Sequence, residues 1–170
     1  MNSRLLICAL GLSLLLTSCA GYQLGGQKPA HLSSVTKLAV PSFENLSLEP
    51  RLGALVTNAV IKQIQLNGSY QIVEEADADA VLAGRIVRIR RSQFRSDRDN
   101  VLRTSQLLLT LNTDFSIKDK ASGAILHRGT ASADSYTVLD SNVQNSESQA
   151  LEDAAQRLAG NVAMEISEGW

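Results

Sequence analysis

The chain has 170 residues, with 16 Lys plus Arg against 17 Asp plus Glu for a formal charge of -1, and 44% hydrophobic against 19% charged residues. That length holds one ordinary domain and is too short for two with independent cores. The composition excludes a disordered chain, a polytopic membrane protein and a globally basic nucleic-acid binder.

The N-terminus reads as an address. Arg4 precedes an uncharged, Leu-rich run from Leu5 to Leu16, which is shorter than the roughly 20 residues of a spanning helix. It has the form of a secretory signal peptide over residues 1–18. Leu16-Thr17-Ser18-Cys19 resembles the bacterial lipobox, in which small residues precede a cysteine. The resemblance implies cleavage before Cys19, a diacylglyceryl group on its thiol and an acyl chain, usually palmitate, on its new amino group. Two or more chains suffice for stable anchoring. Ala20 takes the place of the aspartate that retains many lipoproteins at the inner membrane, so the resemblance points to the outer one. Cys8 leaves with the signal and Cys19 becomes a thioether, so no thiol is expected for a disulfide, a nucleophile or a metal site.

Residues 19–34 read as a lipidated terminus and flexible tether through Gly25, Gly26 and Pro29, and residues 35–170 as one domain. Lys37 to Phe43 is expected to be a strand, with Pro41 at an edge, a bulge or its end. Arg51 to Asn67 places Leu52, Leu55, Val56, Ala59, Val60 and Ile64 on one side of a helix, with Pro50 before it and Gly68 as its C-terminal cap. A short strand is expected from Tyr70 to Glu74 and a long one from Ala80 to Phe94, in which Gly84 marks a bulge or a close backbone approach. In the strand from Val101 to Ile117, Leu107, Leu109, Leu111, Phe115 and Ile117 alternate with Leu108, Thr110, Asn112, Asp114 and Ser116, the period of a half-buried strand. A turn over Asp119 to Gly123 returns the chain as an antiparallel strand from Ala124 to Tyr136. A second amphipathic helix is expected from Glu147 to Ile166, with Ser146 and Gln149 as a capping box. Two one-sided helices and a one-sided sheet make an α+β two-layer sandwich: both helices on one face of a mixed, mainly antiparallel sheet of about four to five strands.

Chemistry-bearing motifs are scarce. The only histidines, His31 and His127, lie far apart and lack metal-ligand spacing, so no metal, catalytic residue or cofactor is expected. No Gly-x-Ser-x-Gly elbow or Walker spacing occurs. Between Arg85 and Arg103, by contrast, the chain places seven of its eleven arginines against Asp97 and Asp99 alone. Guanidinium forks suit bidentate contact with phosphate or carboxylate. Charge on an edge strand also guards against edge-to-edge pairing, so an anion site and a protected edge both fit the cluster.

Taken with Cys19-Ala20-Gly21-Tyr22-Gln23-Leu24, Ala39-Val40-Pro41-Ser42-Phe43-Glu44-Asn45, a helix ending Leu66-Asn67-Gly68, the arginine hairpin and a C-terminal helix, the chain resembles the LptE family of lipopolysaccharide-assembly lipoproteins. The resemblance implies a non-enzymatic, periplasm-facing protein, lipid-anchored at Cys19 to the outer membrane. Its implied role is plug and assembly partner of the β-barrel LptD in lipopolysaccharide transport, with no nucleic-acid partner. It implies lipopolysaccharide contact at the hairpin, through Arg95 and Arg98 at the tip with Arg91 and Arg103 flanking. The Ala39–Asn45 segment and the helix after it also resemble the small domain of LpoB-type activators of peptidoglycan synthases and CsgG-type secretion lipoproteins, which would imply an enzyme regulator or a pore subunit.

Overall fold

The computed structural model describes residues 28–96, 104–138 and 143–168. The strands are β1 (Lys37–Ala39), β2 (Glu44–Asn45), β3 (Gln71–Ile72), β4 (Ala80–Ser96), β5 (Thr104–Asp119) and β6 (Ile125–Val138); the helices are α1 (Leu52–Asn67) and α2 (Val143–Glu168). The main order across the sheet is β3-β1-β4-β5-β6, and β2 also pairs with β4. β4, β5 and β6 form an antiparallel meander, while β1 and β2 run parallel to β4 and β3 runs parallel to β1. The architecture is the expected α+β sandwich with a mixed sheet.

Six strands appear where about four to five were expected, because the strand anticipated over Lys37 to Phe43 ends at Ala39 and a further short strand, β2, follows just past Phe43. Leu38 pairs with Ala80, and Asn45 pairs with Ile86 further along the same strand. Pro41 falls in the gap, where no ladder hydrogen bond is asked of it. β1 is secured at its start by Asp79, whose Oδ2 accepts the backbone N–H of Thr36 (3.0 Å) and Lys37 (2.7 Å). Those backbone hydrogen bonds, Lys37's first, hold the Asp79 carboxyl below its ordinary pKa.

The strand alternation in β5 falls where the sequence puts it: Leu109, Leu111, Phe115 and Ile117 are buried. α1 and α2 both cover this face. Val56, Val60 and Ile64 of α1 and Leu158, Val162 and Ile166 of α2 are fully buried against Leu82, Ile86, Leu111 and Ile117. Each such side chain contributes about 1.5–3 kcal/mol by leaving water. α1 ends at Gly68, whose φ of 73° is left-handed and whose N–H donates to the Ile64 carbonyl at 3.1 Å, as a C-terminal cap requires.

Two local expectations differ from the structure. α2 is helical from Val143, so Ser146 lies inside the helix and not at its cap; Arg91 reaches Glu147 at 2.6 Å in the added turn and fastens it to the sheet. Gly84 marks a close approach and not a bulge. The Phe43 ring rests on it, and a methyl group there would lie 2.1 Å from the ring. The register shift in β4 comes instead between Ile86 and Arg88, where Val87 is the extra residue.

Candidate functional site

The bulge at Val87 decides where the arginines go. Before it, Leu82, Gly84 and Ile86 pair with Ile117, Phe115 and Thr113, and after it Ile89 and Arg91 pair with Leu111 and Leu109, all on the helix-covered face. Arg85, Arg88 and Arg90 pair with Asp114, Asn112 and Thr110, and therefore share the opposite, helix-free face. A second register shift between Gln93 and Arg95 sets Arg95 opposite Gln106, again on the open face. A strand without the shift at Val87 would put Arg88 and Arg90 on the other side from Arg85.

Arg85 pairs with Glu44 at 2.7 Å, both side chains more than half exposed, so the bond adds little stability. Arg88 and Arg90 are exposed and make no ion pair among the described residues. Beyond them on the same face the ring of Phe94 lies 4.6 Å from that of Tyr136. Phe94, Tyr136 and Val138 are each about half exposed. The open face thus runs from a guanidinium row to an apolar shelf, a sequence suited to a molecule with anionic and apolar parts.

Arg91, one of the expected ligand residues, is turned to the other side. Its guanidinium meets Glu49, in the loop before α1, and Glu147, in the first turns of α2. Partial burial works against its charge, and the hydrogen bonds to Glu147 and Glu49 outweigh that, raising its pKa above the ordinary arginine value. Arg95 is at the far end of β4, while Arg98, Arg103 and the lipidation residue Cys19 lie outside the described residues. Of the four expected ligand arginines, Arg95 alone is placed beside the open-face row. Arg88 and Arg90 belong to the arginine cluster read from the sequence but were not among the expected ligands, and Tyr136 was not singled out, because their shared face depends on a one-residue register shift.

The Ala39–Asn45 motif has a structural task. Phe43 donates its N–H to Thr57 Oγ1 (2.9 Å), and that hydroxyl donates to the Gly53 carbonyl (2.7 Å). Asn45 Oδ1 accepts from the backbone and hydroxyl of Ser47, and its amide donates to the Glu49 carbonyl at 2.7 Å. The motif folds the connection into α1 and sets Glu49 in front of Arg91.

At the opposite end from the hairpin tip, Lys28 stacks its ammonium 4.3 Å from the Tyr70 ring centroid and donates to the Val35 carbonyl at 2.7 Å. Tyr70 in turn donates to the Ile166 carbonyl at 2.6 Å, and burial raises its pKa to about 12. Nearby, the two histidines that lie 96 residues apart come together: His31 Nε2 is 3.2 Å from His127 Nδ1, and His127 Nε2 is 3.1 Å from Glu165 Oε1.

The family profile described as "LptE: Lipopolysaccharide-assembly" matches residues 35–166. The chain belongs to the LptE family. That family assembles lipopolysaccharide and is not enzymatic. No helix among the described residues is long and apolar enough to cross a membrane. No curated protein sequence matches the chain. Among solved structures, a PelC dodecamer from Paraburkholderia phytofirmans is similar at 20% identity and a TM-score of 0.55, covering 84% of this chain and 94% of that one. A putative lipoprotein from Caulobacter crescentus follows at 19% identity and 0.52, covering 73% and 86%. A minor lipoprotein from Acinetobacter baumannii is similar at 16% and 0.52, covering 77% and 91%. At these identities the likeness is one of fold, so this LptE-family chain shares its sandwich with these three proteins.

Proposed function

We propose that the protein is an outer-membrane lipoprotein, anchored through Cys19 and facing the periplasm, that plugs and helps assemble the LptD barrel during lipopolysaccharide insertion. Residues 1–18 are its signal peptide, 19–34 its lipidated tether and 35–170 its single domain. The observation that carries this reading is the β4–β5 hairpin with its arginine-lined open face, in a chain of the LptE family. β4 has 17 residues, and at about 3.3 Å per residue it reaches roughly 55 Å. Lys28, within the 19–34 segment, sits at the starting end of that strand. Lys28 and the far end of β4 at Ser96 are therefore at opposite ends of the described residues.

On this reading the phosphate contacts of lipopolysaccharide fall to Arg95, Arg98 and Arg103 at and near the tip. Arg88 and Arg90 extend the row, and Phe94 and Tyr136 offer an apolar shelf for the acyl part. Arg91 contributes by holding α2 and the loop before α1 to the hairpin, and its ligand role requires release from Glu49 and Glu147.

Crosslinking and affinity purification of the native protein test the partner: recovery of a large outer-membrane β-barrel is expected, and recovery of a periplasmic synthase alone refutes the plug reading. For the ligand, an Arg88→Asp, Arg90→Asp, Arg95→Asp triple variant should weaken salt-sensitive lipopolysaccharide binding, whereas unchanged binding by a folded variant removes the open face from the site. Cys19→Ala should abolish lipid labelling and shift the protein from the membrane fraction.

A further inference from the structure

The histidine pair lies toward the starting end of β4, away from the arginine row, and its construction is specific. His31 is exposed on a short 3-10 turn, Ala30–Leu32. That turn is fixed to the body by Leu32, which is fully buried. His127 sits in β6 on the helix-covered face, opposite Ile117, with its side chain 16% exposed. Its ring is set between Phe115 on one side, at 5.8 Å between centroids, and Glu165 of α2. Gly129, two residues on, makes this possible: a Cβ there would lie 2.1 Å from Glu165 Oε1 and 2.4 Å from Phe115 Cζ. The absence of a side chain at 129 is what lets the carboxylate come down beside the imidazole.

We infer that His31 and His127 form a two-histidine binding site for a late first-row divalent metal ion, Cu(II) or Zn(II), oriented by Glu165. Their facing nitrogens are 3.2 Å apart. Two imidazole ligands at about 2.0–2.1 Å from one ion, subtending roughly 100°, are separated by about that distance. The rings are near-parallel, 16° apart, with centroids at 5.3 Å, and meet edge to edge in a hydrogen bond. A swing of the exposed His31 ring turns the same two nitrogens into adjacent ligands. The proton between them moves to His31 Nδ1, which faces no other partner among the described residues, so neutral imidazoles bind the ion without loss of a proton to the bulk.

The remaining nitrogen of His127 supplies the second part of the argument. Histidine ligands almost always donate their other N–H to a carboxylate or carbonyl, which fixes the tautomer and raises the basicity of the ligating nitrogen. Glu165 occupies that position, leaving the His127 Nδ1 lone pair toward His31. Imidazole favours Zn, Cu and Ni, with Cu(II) binding tightest. Among the described residues no group of three or more His, Cys, Asp and Glu is arranged to hold a metal. Water therefore completes the coordination sphere, which makes the site open and moderate in affinity. A bound ion would tie the turn at the base of the tether to β6.

The test is titration of the purified, untagged, full mature protein with Cu(II) chloride and separately with Zn(II) chloride at pH 7.5, by calorimetry, with electron paramagnetic resonance on the Cu(II) form. One equivalent should bind, with a resonance spectrum showing coupling to two imidazole nitrogens. His31→Gln and His127→Gln should each abolish that stoichiometric binding, and Glu165→Gln should weaken it about tenfold. His31→Gln decides the matter if the His127 variant fails to fold, because His31 is on the surface and circular dichroism can verify an intact fold. Absence of one-to-one binding by the unaltered protein, or equal affinity in a folded His31→Gln variant, overturns the proposal and leaves the pair a hydrogen-bonded packing contact.

Discussion

Replacing Phe43 by alanine tests how the connection from β1 to α1 is fastened. The ring is 3% exposed and lies directly on the backbone of Gly84, where an added methyl group would come within 2.1–2.4 Å of three ring carbons. Phe-to-Ala truncations in cores cost about 3–5 kcal/mol, more when the site cannot collapse. Here the floor is a strand held by neighbours on both edges, with β2 on one side and β5 on the other, so relaxation is limited and the expected cost is about 4 kcal/mol. Gly84→Ala alone overpacks the same space and should cost about 3 kcal/mol, at the upper end of the usual range. In the double variant the new methyl occupies part of the vacated volume. The loss in the double variant should therefore fall short of the sum of the two single losses by about 2 kcal/mol. Urea unfolding of the four proteins of this cycle, with a common slope, measures the coupling. Additivity within about 0.5 kcal/mol would show that Phe43 does not rest on Gly84 and would refute the packing argument.

Arg91→Met removes the partner of both Glu49 and Glu147. Because Arg91 is about a third exposed, the loss of stability should be near 1 kcal/mol, with faster amide exchange in the first turns of α2 as the local signature. Tyr70→Phe should cost about 1 kcal/mol for the lost hydrogen bond to the Ile166 carbonyl. In the unaltered protein, ultraviolet titration should find one tyrosine ionising near 12, and that step should be missing from the variant. Asp79 has its carboxyl pKa lowered in the folded state by the N–H groups of Lys37 and Thr36. Its contribution is thus fully present above the unfolded pKa, about 3.9, and is lost as pH falls through the lower folded value. Asp79→Asn should flatten the pH dependence of stability in that acid range, as followed by circular dichroism.

Elements governed by a local period were legible in the sequence. The α1 stripe, the Gly68 cap and the alternation from Leu107 to Ile117 each reflect a repeat that the chain carries within itself, and each is found in place. What was not legible depends on distant chain. The start of α2 was misplaced because a capping pattern at Ser146 is local, whereas the hydrogen bond from Arg91 to Glu147 spans 56 residues. The histidines looked isolated for the same reason: His31 and His127 are neighbours only once β6 runs beside the Ala30–Leu32 turn, and Glu165 arrives from α2. Arginine density marked the hairpin correctly as a region, but the division of its side chains between two faces was beyond the pattern, since β4 departs from strict alternation twice.

That departure at Val87 makes the surface charge of this protein a question of pairing register and not of composition. Pairing Val87 in regular alternation, with no residue gained or lost, would leave the net charge untouched, yet it would drive Arg88 and Arg90 under the helices and expose Ile89 in their stead. Relatives with the same arginines in an unbulged strand of the same length would carry a different electrostatic face, while relatives that lose the extra residue and the bulge together would carry the same one. Functional equivalence within such a family is therefore to be sought in the pairing register of the hairpin, before any column-by-column comparison of its basic residues.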